Sequence, residues 1–209
     1  MNLKDVTLLA VSSIKIAETI SALKKSCAII DFAEVKLITH QNPKKLPAQI
    51  SFEPCPKLNN IHDYNHYVFR DLGKHVNTSH CLLIQYDSWI LRPDLWENNW
   101  LEYDYIGAPW AYSEDSYISP NGEHVRVGNG GFSLRSKKLL DLPRSIDLQL
   151  IHDRGFYNED GNICVYYRET FLENGIKYAP IDLASRFAYE RDVAENMNTK
   201  PFGFHKYQK

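Results

Sequence analysis

The sequence predicts an α/β fold with a mainly parallel central sheet flanked by helices. The chain opens with an apolar run, Asp5 to Ser12, a helix-spaced segment, Ile14 to Lys25, and a second apolar run, Ala33 to Thr39. That β-α-β order favours a parallel sheet. A third apolar run, His80 to Tyr86, ends in a polar cluster, Gln85-Tyr86-Asp87-Ser88. No internal repeat, low-complexity tract or clear linker interrupts residues 1–209, so one domain is expected.

Each element has a local reason. Asp5–Ser12 reads as a buried strand that turns polar at Ser12-Ser13. Ile14, Ile16, Ala17, Ile20 and Leu23 recur at helical spacing. Gln41–Asn60 is rich in Pro, Lys and Asn and reads as a loop. His62–Val76 places Tyr64, Val68, Leu72 and Val76 on one helical face. Asn98–Pro120 is irregular and rich in aromatics, and Val127–Leu134 is a glycine-punctuated turn between β-type residues. Ser136 is the expected N-cap of a short helix. Glu159–Asn174 reads as a helix closed by Asn174-Gly175, and Ile176–Ile181 as a strand.

Composition excludes several classes. Twenty-four Lys and Arg against 26 Asp and Glu give a net charge of −2, without the basic excess of a nucleic-acid binder or a polybasic membrane-surface protein. Thirteen Tyr, 9 Phe and 4 Trp within 44% apolar residues exclude intrinsic disorder. The longest apolar stretches span a few residues, where a membrane-crossing helix needs about 20. The N-terminus has no signal-peptide pattern, so a cytoplasmic location is expected. Cys27, Cys55, Cys81 and Cys164 lie far apart with no CxxC pair and read as free thiols.

Ligands of open α/β sheets bind at the carboxyl ends of the strands. That rule points to Ser12-Ser13, Thr39-His40 and Gln85-Tyr86-Asp87. Asp87 either ligates Mg²⁺ or Mn²⁺, which take hard oxygen ligands, or caps the following turn. Gly128-Asn129-Gly130-Gly131 either lets backbone approach a ligand or makes a hairpin turn; Ser133 stands where a dinucleotide fingerprint needs glycine. Asn158-Glu159-Asp160 is either a helix start with dipole-favoured acids or a general base beside a second acid. Trp110 and Tyr112 can stack on a sugar or base, or pack the core. His62 and His66 form HxxxH, a weak zinc-hydrolase pattern with Asp63 where the motif has Glu.

In order along the chain stand Leu82–Leu91 with its Gln85-Tyr86-Asp87, Tyr103–Trp110 with Ile106-Gly107-Ala108-Pro109-Trp110, Val127–Ser136 with its glycine cluster, and Asn158-Glu159-Asp160 before Ile163-Cys164. This set resembles a family of short proteins catalogued as a domain of unknown function and regarded as GT-A-fold glycosyltransferases. The resemblance spans residues 5 to 205. In size and layout the chain is also similar to a compact transferase acting on a viral capsid glycan.

The resemblance implies a nucleotide-sugar donor, UDP-sugar favoured, a divalent Mn²⁺ or Mg²⁺ ion, and a glycan or glycoprotein acceptor. It makes Asp87 and His205 metal ligands, with Gln85 where the family's DxD motif has its first acid. Gln85, Tyr86 and Asp87 would then face the nucleotide diphosphate. Val11 and Ser12 would contact base and ribose, joined by Thr39 and Arg70. Trp110, Asn129, Gly130 and Gly131 would line the sugar site. Asp160, beside Glu159, would deprotonate the acceptor and invert the anomeric centre. A non-catalytic nucleotide-sugar or carbohydrate-binding module of the same fold is the alternative.

Overall fold

The computed structural model describes residues 1–112, 117–152 and 158–206. Nine strands are described: β1 (Asn2–Val11), β2 (Asp31–Thr39), β3 (Ser51–Pro54), β4 (His80–Ile84), β5 (Ser88–Ile90), β6 (Tyr105–Gly107), β7 (Phe132–Ser136), β8 (Ala188–Tyr189) and β9 (Gly203–His205). The main sheet runs β3-β2-β1-β4-β7-β6. β3, β2, β1 and β4 pair in parallel, whereas β7 is antiparallel to both β4 and β6. The expected α/β architecture with a mainly parallel sheet is present. From β1 the chain goes to β2 on one side and β4 lies on the other, which makes the β1/β4 boundary the topological switch point.

The helices are α1 (Ile16–Cys27), α2 (Ile61–Arg70), α3 (Lys137–Ser145), α4 (Glu159–Gly161), α5 (Arg168–Glu173) and α6 (Ile181–Phe187). They cover both faces of the sheet, so β4 and β7 are buried at every position. Leu8 and Ala10 of β1, with Leu82 and Ile84 of β4, enter one core beside Leu23 of α1 and Phe187 of α6. Leu9 and Val11, with Cys81 and Leu83, enter the other beside Val68 of α2, Leu139 of α3 and Phe171 of α5. Alternation across a strand is what splits consecutive apolar residues between two cores. No described helix is long and apolar enough to cross a membrane.

Several expectations needed correction. The Gln41–Asn60 loop contains the edge strand β3. The single helix expected over His62–Val76 is α2 followed, after Asp71, by a 3-10 turn at Leu72–His75. The segment after Asn158 is α4, then a π-helical turn at Asn162–Tyr166, then α5. Ile176–Ile181 contributes only an isolated bridge, Tyr105 with Tyr178, before α6 begins. Val127–Leu134 is half strand, because β7 is buried at every position. Ser136 caps α3 as expected, its Oγ accepting from Leu139 N at 3.0 Å.

The tail, rich in Phe and Gly, forms the strand that sequence periodicity missed. β9 pairs antiparallel with β5 and parallel with β8, in a register that sets His205 opposite Ser88. Phe202 joins buried Trp100, Phe187 and Phe132 in one aromatic cluster. Phe204 meets Trp89 edge-to-face at 4.6 Å. Gly203 must lack a side chain, since a Cβ there would lie 2.1 Å from the Phe132 ring. Gly203→Val is therefore expected to cost about 1–3 kcal/mol through overpacking. Urea unfolding measures it; a variant as stable as the unchanged protein would contradict this packing.

Candidate active site

Two adjoining cavities open at the carboxyl ends of β1 and β4. The smaller, about 240 Å³, is lined by Val11, Ser12 and Ile14 after β1, Ile61 and Tyr64 of α2, and Gln85 and Tyr86 after β4. The larger, about 580 Å³, shares Ile61, Tyr64 and Gln85 and adds Trp110, Asn129, Gly130, Gly131, Asp160, Glu190 and His205. One is largely apolar and sits at the switch point; the other is polar and carries the acids.

The wall between them is built from Gln85. Its amide Nε2 donates to Tyr64 OH at 3.1 Å, which turns Oε1 toward His205 Nε2 at 3.2 Å. Asp87 Oδ1 lies 3.6 Å from the same nitrogen, is buried, and accepts no hydrogen bond. His205 is delivered by β9, and Lys206 N donates to Asp87 O at 3.2 Å. On its other side, His205 Nδ1 lies 3.3 Å from Glu190 Oε1 and 3.1 Å from Asn129 Nδ2. Burial alone would raise the Glu190 carboxyl, but its bond with His205 holds it below the usual range. An orphan carboxylate oxygen, an amide oxygen and an imidazole nitrogen converging in this way fit a divalent cation. Among the described residues no group of three His, Cys, Asp or Glu is placed to hold a metal ion.

The glycine segment forms the floor. Asn129 is buried and left-handed, with φ of 65°. Its Oδ1 accepts from Gly131 N at 3.1 Å, and Tyr105 OH donates to Asn129 O at 3.2 Å. A Cβ on Gly131 would stand 2.2 Å from His205 Nε2, and one on Gly128 1.9 Å from the Trp110 ring. Trp110 stacks on Tyr117 at 4.0 Å, leaving its edge at the cavity.

Asp160 closes the far end. Its Oδ2 accepts from Gly130 N at 2.7 Å and its Oδ1 from Gly161 N at 2.8 Å. Burial, and then the neighbouring Glu159 charge, push its carboxyl up to about 6; the Gly130 hydrogen bond and Arg135 oppose the rise without cancelling it. Glu159 is buried and paired to Arg135 at 2.9 Å.

Of the residues singled out from sequence, Val11, Ser12, Gln85 and Tyr86 meet in the smaller cavity, and Gln85, Trp110, Asn129, Gly130, Gly131, Glu159, Asp160 and His205 in the larger. Asp87 stands behind Gln85 and His205. Two lie apart. Arg70 points from the end of α2 to Asp147 at 3.0 Å and to the Leu148 carbonyl, so its guanidinium is already engaged away from the cleft. Thr39 is fully buried below the rim, where its carbonyl accepts from Cys55 N. Tyr112 is exposed and stacks on His124 at 4.5 Å. His62 pairs with His152 across 3.2 Å, a partner that the HxxxH spacing does not suggest. Sequence reasoning missed Tyr64, Glu190, Arg191, Lys206 and Lys15, whose ammonium sits 3.9 Å over the Tyr86 ring. Arg135 alone left a signal, a cation inside an apolar strand.

Because folding raises the Asp160 carboxyl from 3.8 to about 6, the native state holds its proton more tightly than the unfolded chain between those values. The contribution of this group to stability therefore falls as pH rises through that window. The stability of Asp160→Asn relative to the unchanged protein is expected to be better at pH 8 than at pH 3.5, by up to about 3 kcal/mol. Denaturant melts at the two pH values decide it; a difference that ignores pH would contradict the placement of this carboxyl.

Comparison with solved structures gives the fold a setting. The galactosyltransferase LgtC, solved with donor and acceptor sugar analogues, superposes with a TM-score of 0.58 at 13% identity, over 95% of this chain and 86% of that one. The apo-form glycosyltransferase GlyE of Streptococcus pneumoniae TIGR4 gives 0.53 at 12%, over 98% and 55%. The mannosyltransferase PcManGT of Pyrobaculum calidifontis, in complex with GDP-Man and Mn²⁺, gives 0.53 at 10%, over 86% and 55%. At such identities the likeness establishes a glycosyltransferase fold. No curated protein sequence matches the chain. The model of one family does, over residues 48–205, and since that stretch spans β3 through β9 with every wall of the larger cavity, the chain belongs to the family described as protein of unknown function DUF5672.

Proposed function

We propose that this protein transfers a glycosyl group from a nucleotide-sugar donor, UDP-sugar favoured, to a hydroxyl of a glycan or glycoprotein acceptor. The observation that carries the reading is the meeting of Gln85, His205 and Asp160 around one polar cleft, with Asp87 behind Gln85 and His205, on a glycosyltransferase fold. The apolar cavity at the switch point suits a nucleobase, bounded by Val11, Ser12 and Tyr86. The diphosphate would lie toward Gln85, within reach of Lys206 and Arg191. The sugar would rest on the Gly130 and Gly131 backbone beside Trp110.

Asp87, His205 and the Gln85 amide would hold Mn²⁺ or Mg²⁺. Such an ion supplies Lewis-acid stabilisation for the negative charge of the departing diphosphate. With one carboxylate in place of two, the metal is expected to bind weakly until a nucleotide shares it.

An acceptor hydroxyl needs a base within hydrogen-bond reach. Of the cleft carboxylates Glu159 is paired with Arg135 and Glu190 lies against His205, which leaves Asp160 for the role; a base on that side implies inversion of the anomeric centre. The amide at position 85 also favours a second reading, a binding module of the same fold that lacks turnover.

Thermal melts with UDP, GDP, dTDP and CMP species and their sugars, with and without Mn²⁺, test the donor site. A ligand at 100 times its dissociation constant adds about 2.7 kcal/mol. One nucleotide class is expected to stabilise the protein only with metal, and Asp87→Ala to abolish the effect. No response to any nucleotide would refute the donor assignment.

Transfer should rise with pH through about 6 as Asp160 ionises, and Asp160→Asn should lose about 10²–10⁴-fold in kcat. Full activity in Asp160→Asn would refute the base. Donor binding without transfer over a broad acceptor panel would select the binding module.

A further inference from the structure

A buried ion pair beneath the cleft has no part in the reading above. Arg135 lies on β7, an inner strand, and its side chain is fully buried. Its Nε donates to Ser133 Oγ at 2.9 Å and its Nη2 to Glu159 Oε1 at 2.9 Å. The guanidinium carbon stands 5.2 Å from the centre of the Tyr105 ring. Nη1 has no hydrogen-bond partner. Glu159 is 3% exposed. Replacing such a pair by apolar residues of similar volume is often neutral or stabilising, so stability alone gives little reason for it.

Gly130 supplies the reason. A Cβ at this position would fall 2.2 Å from Glu159 Oε1 and 3.1 Å from Arg135 Nη2. Its N–H meanwhile donates to Asp160 Oδ2 at 2.7 Å. One residue without a side chain thus lies between the carboxylates of Glu159 and Asp160, touching both. The glycine cluster, the Arg of β7 and the paired acids are therefore one constellation.

We propose that Arg135 and Glu159 are positioning residues for Asp160: Arg135 pins the Glu159 side chain under Gly130, and the charge of that ion-paired acid makes Asp160 the proton acceptor at this end of the cleft. The inference rests on the reading of Asp160 as the base. Six titratable groups act on Asp160 or feel it: Glu159, Arg135, Tyr64, Tyr105, Tyr117 and Cys164. Burial raises the three phenols and the thiol, which keeps them neutral at working pH. Among the described residues the charged neighbours are then Glu159 and Arg135, and the Glu159 influence is the larger. Oxygens held by two backbone N–H groups normally favour ionisation; burial first, and then the Glu159 charge, work against them.

The test reads the Asp160 carboxyl directly, by carbon NMR of protein labelled at aspartate Cγ, with Asp160→Asn identifying the signal. Its midpoint is expected at about 6. Glu159→Gln keeps an oxygen for Arg135 and removes the charge, and should lower the midpoint toward the ordinary value near 4. The double variant Arg135→Met/Glu159→Leu replaces the pair by apolar groups and should give a smaller fall in the same direction. A midpoint near 4 in the unchanged protein, or one unmoved in a folded variant, overturns the proposal. So does collapse of both variants beside a folded Asp160→Asn, which would make the pair purely structural. Full transfer by Asp160→Asn with the midpoint shifted as expected would refute the base and leave the coupling standing.

Discussion

The pairing of β5 with β9 joins residues far apart in sequence and brings the tail onto the turn after β4. Closing so long a loop costs conformational entropy that local contacts cannot offset. Tail packing provides the compensation: Phe202 enters the aromatic cluster around Trp100, and Phe204 meets Trp89. Once register sets Ser88 opposite His205, the imidazole has no freedom to leave the Gln85–Asp87 turn. The placement of His205 therefore depends on apolar burial some residues away. Anything that loosens Phe202 or crowds Gly203 acts on His205 without touching it.

Close approach of backbone is the second constraint. Gly107 lies against the Gly128 carbonyl, Gly128 under Trp110, Gly130 against Glu159 and Gly131 against His205. Along this segment each missing side chain makes room for a different functional neighbour. Left-handed backbone is concentrated in the same region. Of the non-glycine residues at positive φ, Tyr117, Asn129 and Lys206 line the larger cavity, and Lys15 covers Tyr86 at the smaller. Such conformations persist only where surrounding structure enforces them. Their grouping around the cleft fits a site whose geometry is fixed before any ligand arrives.

Much of the architecture was legible because burial on both sheet faces writes an unmistakable pattern. β1, β2 and β4 each carry a strongly apolar stretch, α1 has helical spacing, and Ser136 is a standard cap. β3 was hidden by its prolines and its edge position, where few apolar residues are needed. β6 and β9 are three residues long, too short for any period. The helix expected after Asn158 is broken by a π turn, for which side-chain spacing gives no cue. Legibility of the site follows the same physics. Gln85-Tyr86-Asp87 follows a strand that identifies itself, so its place at the sheet's carboxyl edge could be foreseen. Arg70 could not be excluded from sequence, since its partner Asp147 belongs to a turn after α3 that only the tertiary fold brings near. Glu190 carries no local signal, for its importance lies in contact with His205.

The two halves of the cleft differ in how they hold charge. Around His205 the structure balances an imidazole between Glu190 on one side and Asp87 with Gln85 on the other, an arrangement open to a cation. Around Asp160 it buries a full ion pair and leaves the third charge facing the cavity. A departing diphosphate and an attacking hydroxyl make opposite demands: one needs positive charge accumulated, the other needs a proton removed. Gly130 and Gly131 are adjacent in sequence, yet one contacts the acid end and the other the imidazole end. A single peptide link thus fixes the separation between the two chemistries, and the rigid β4–β7 ladder holds that link in place.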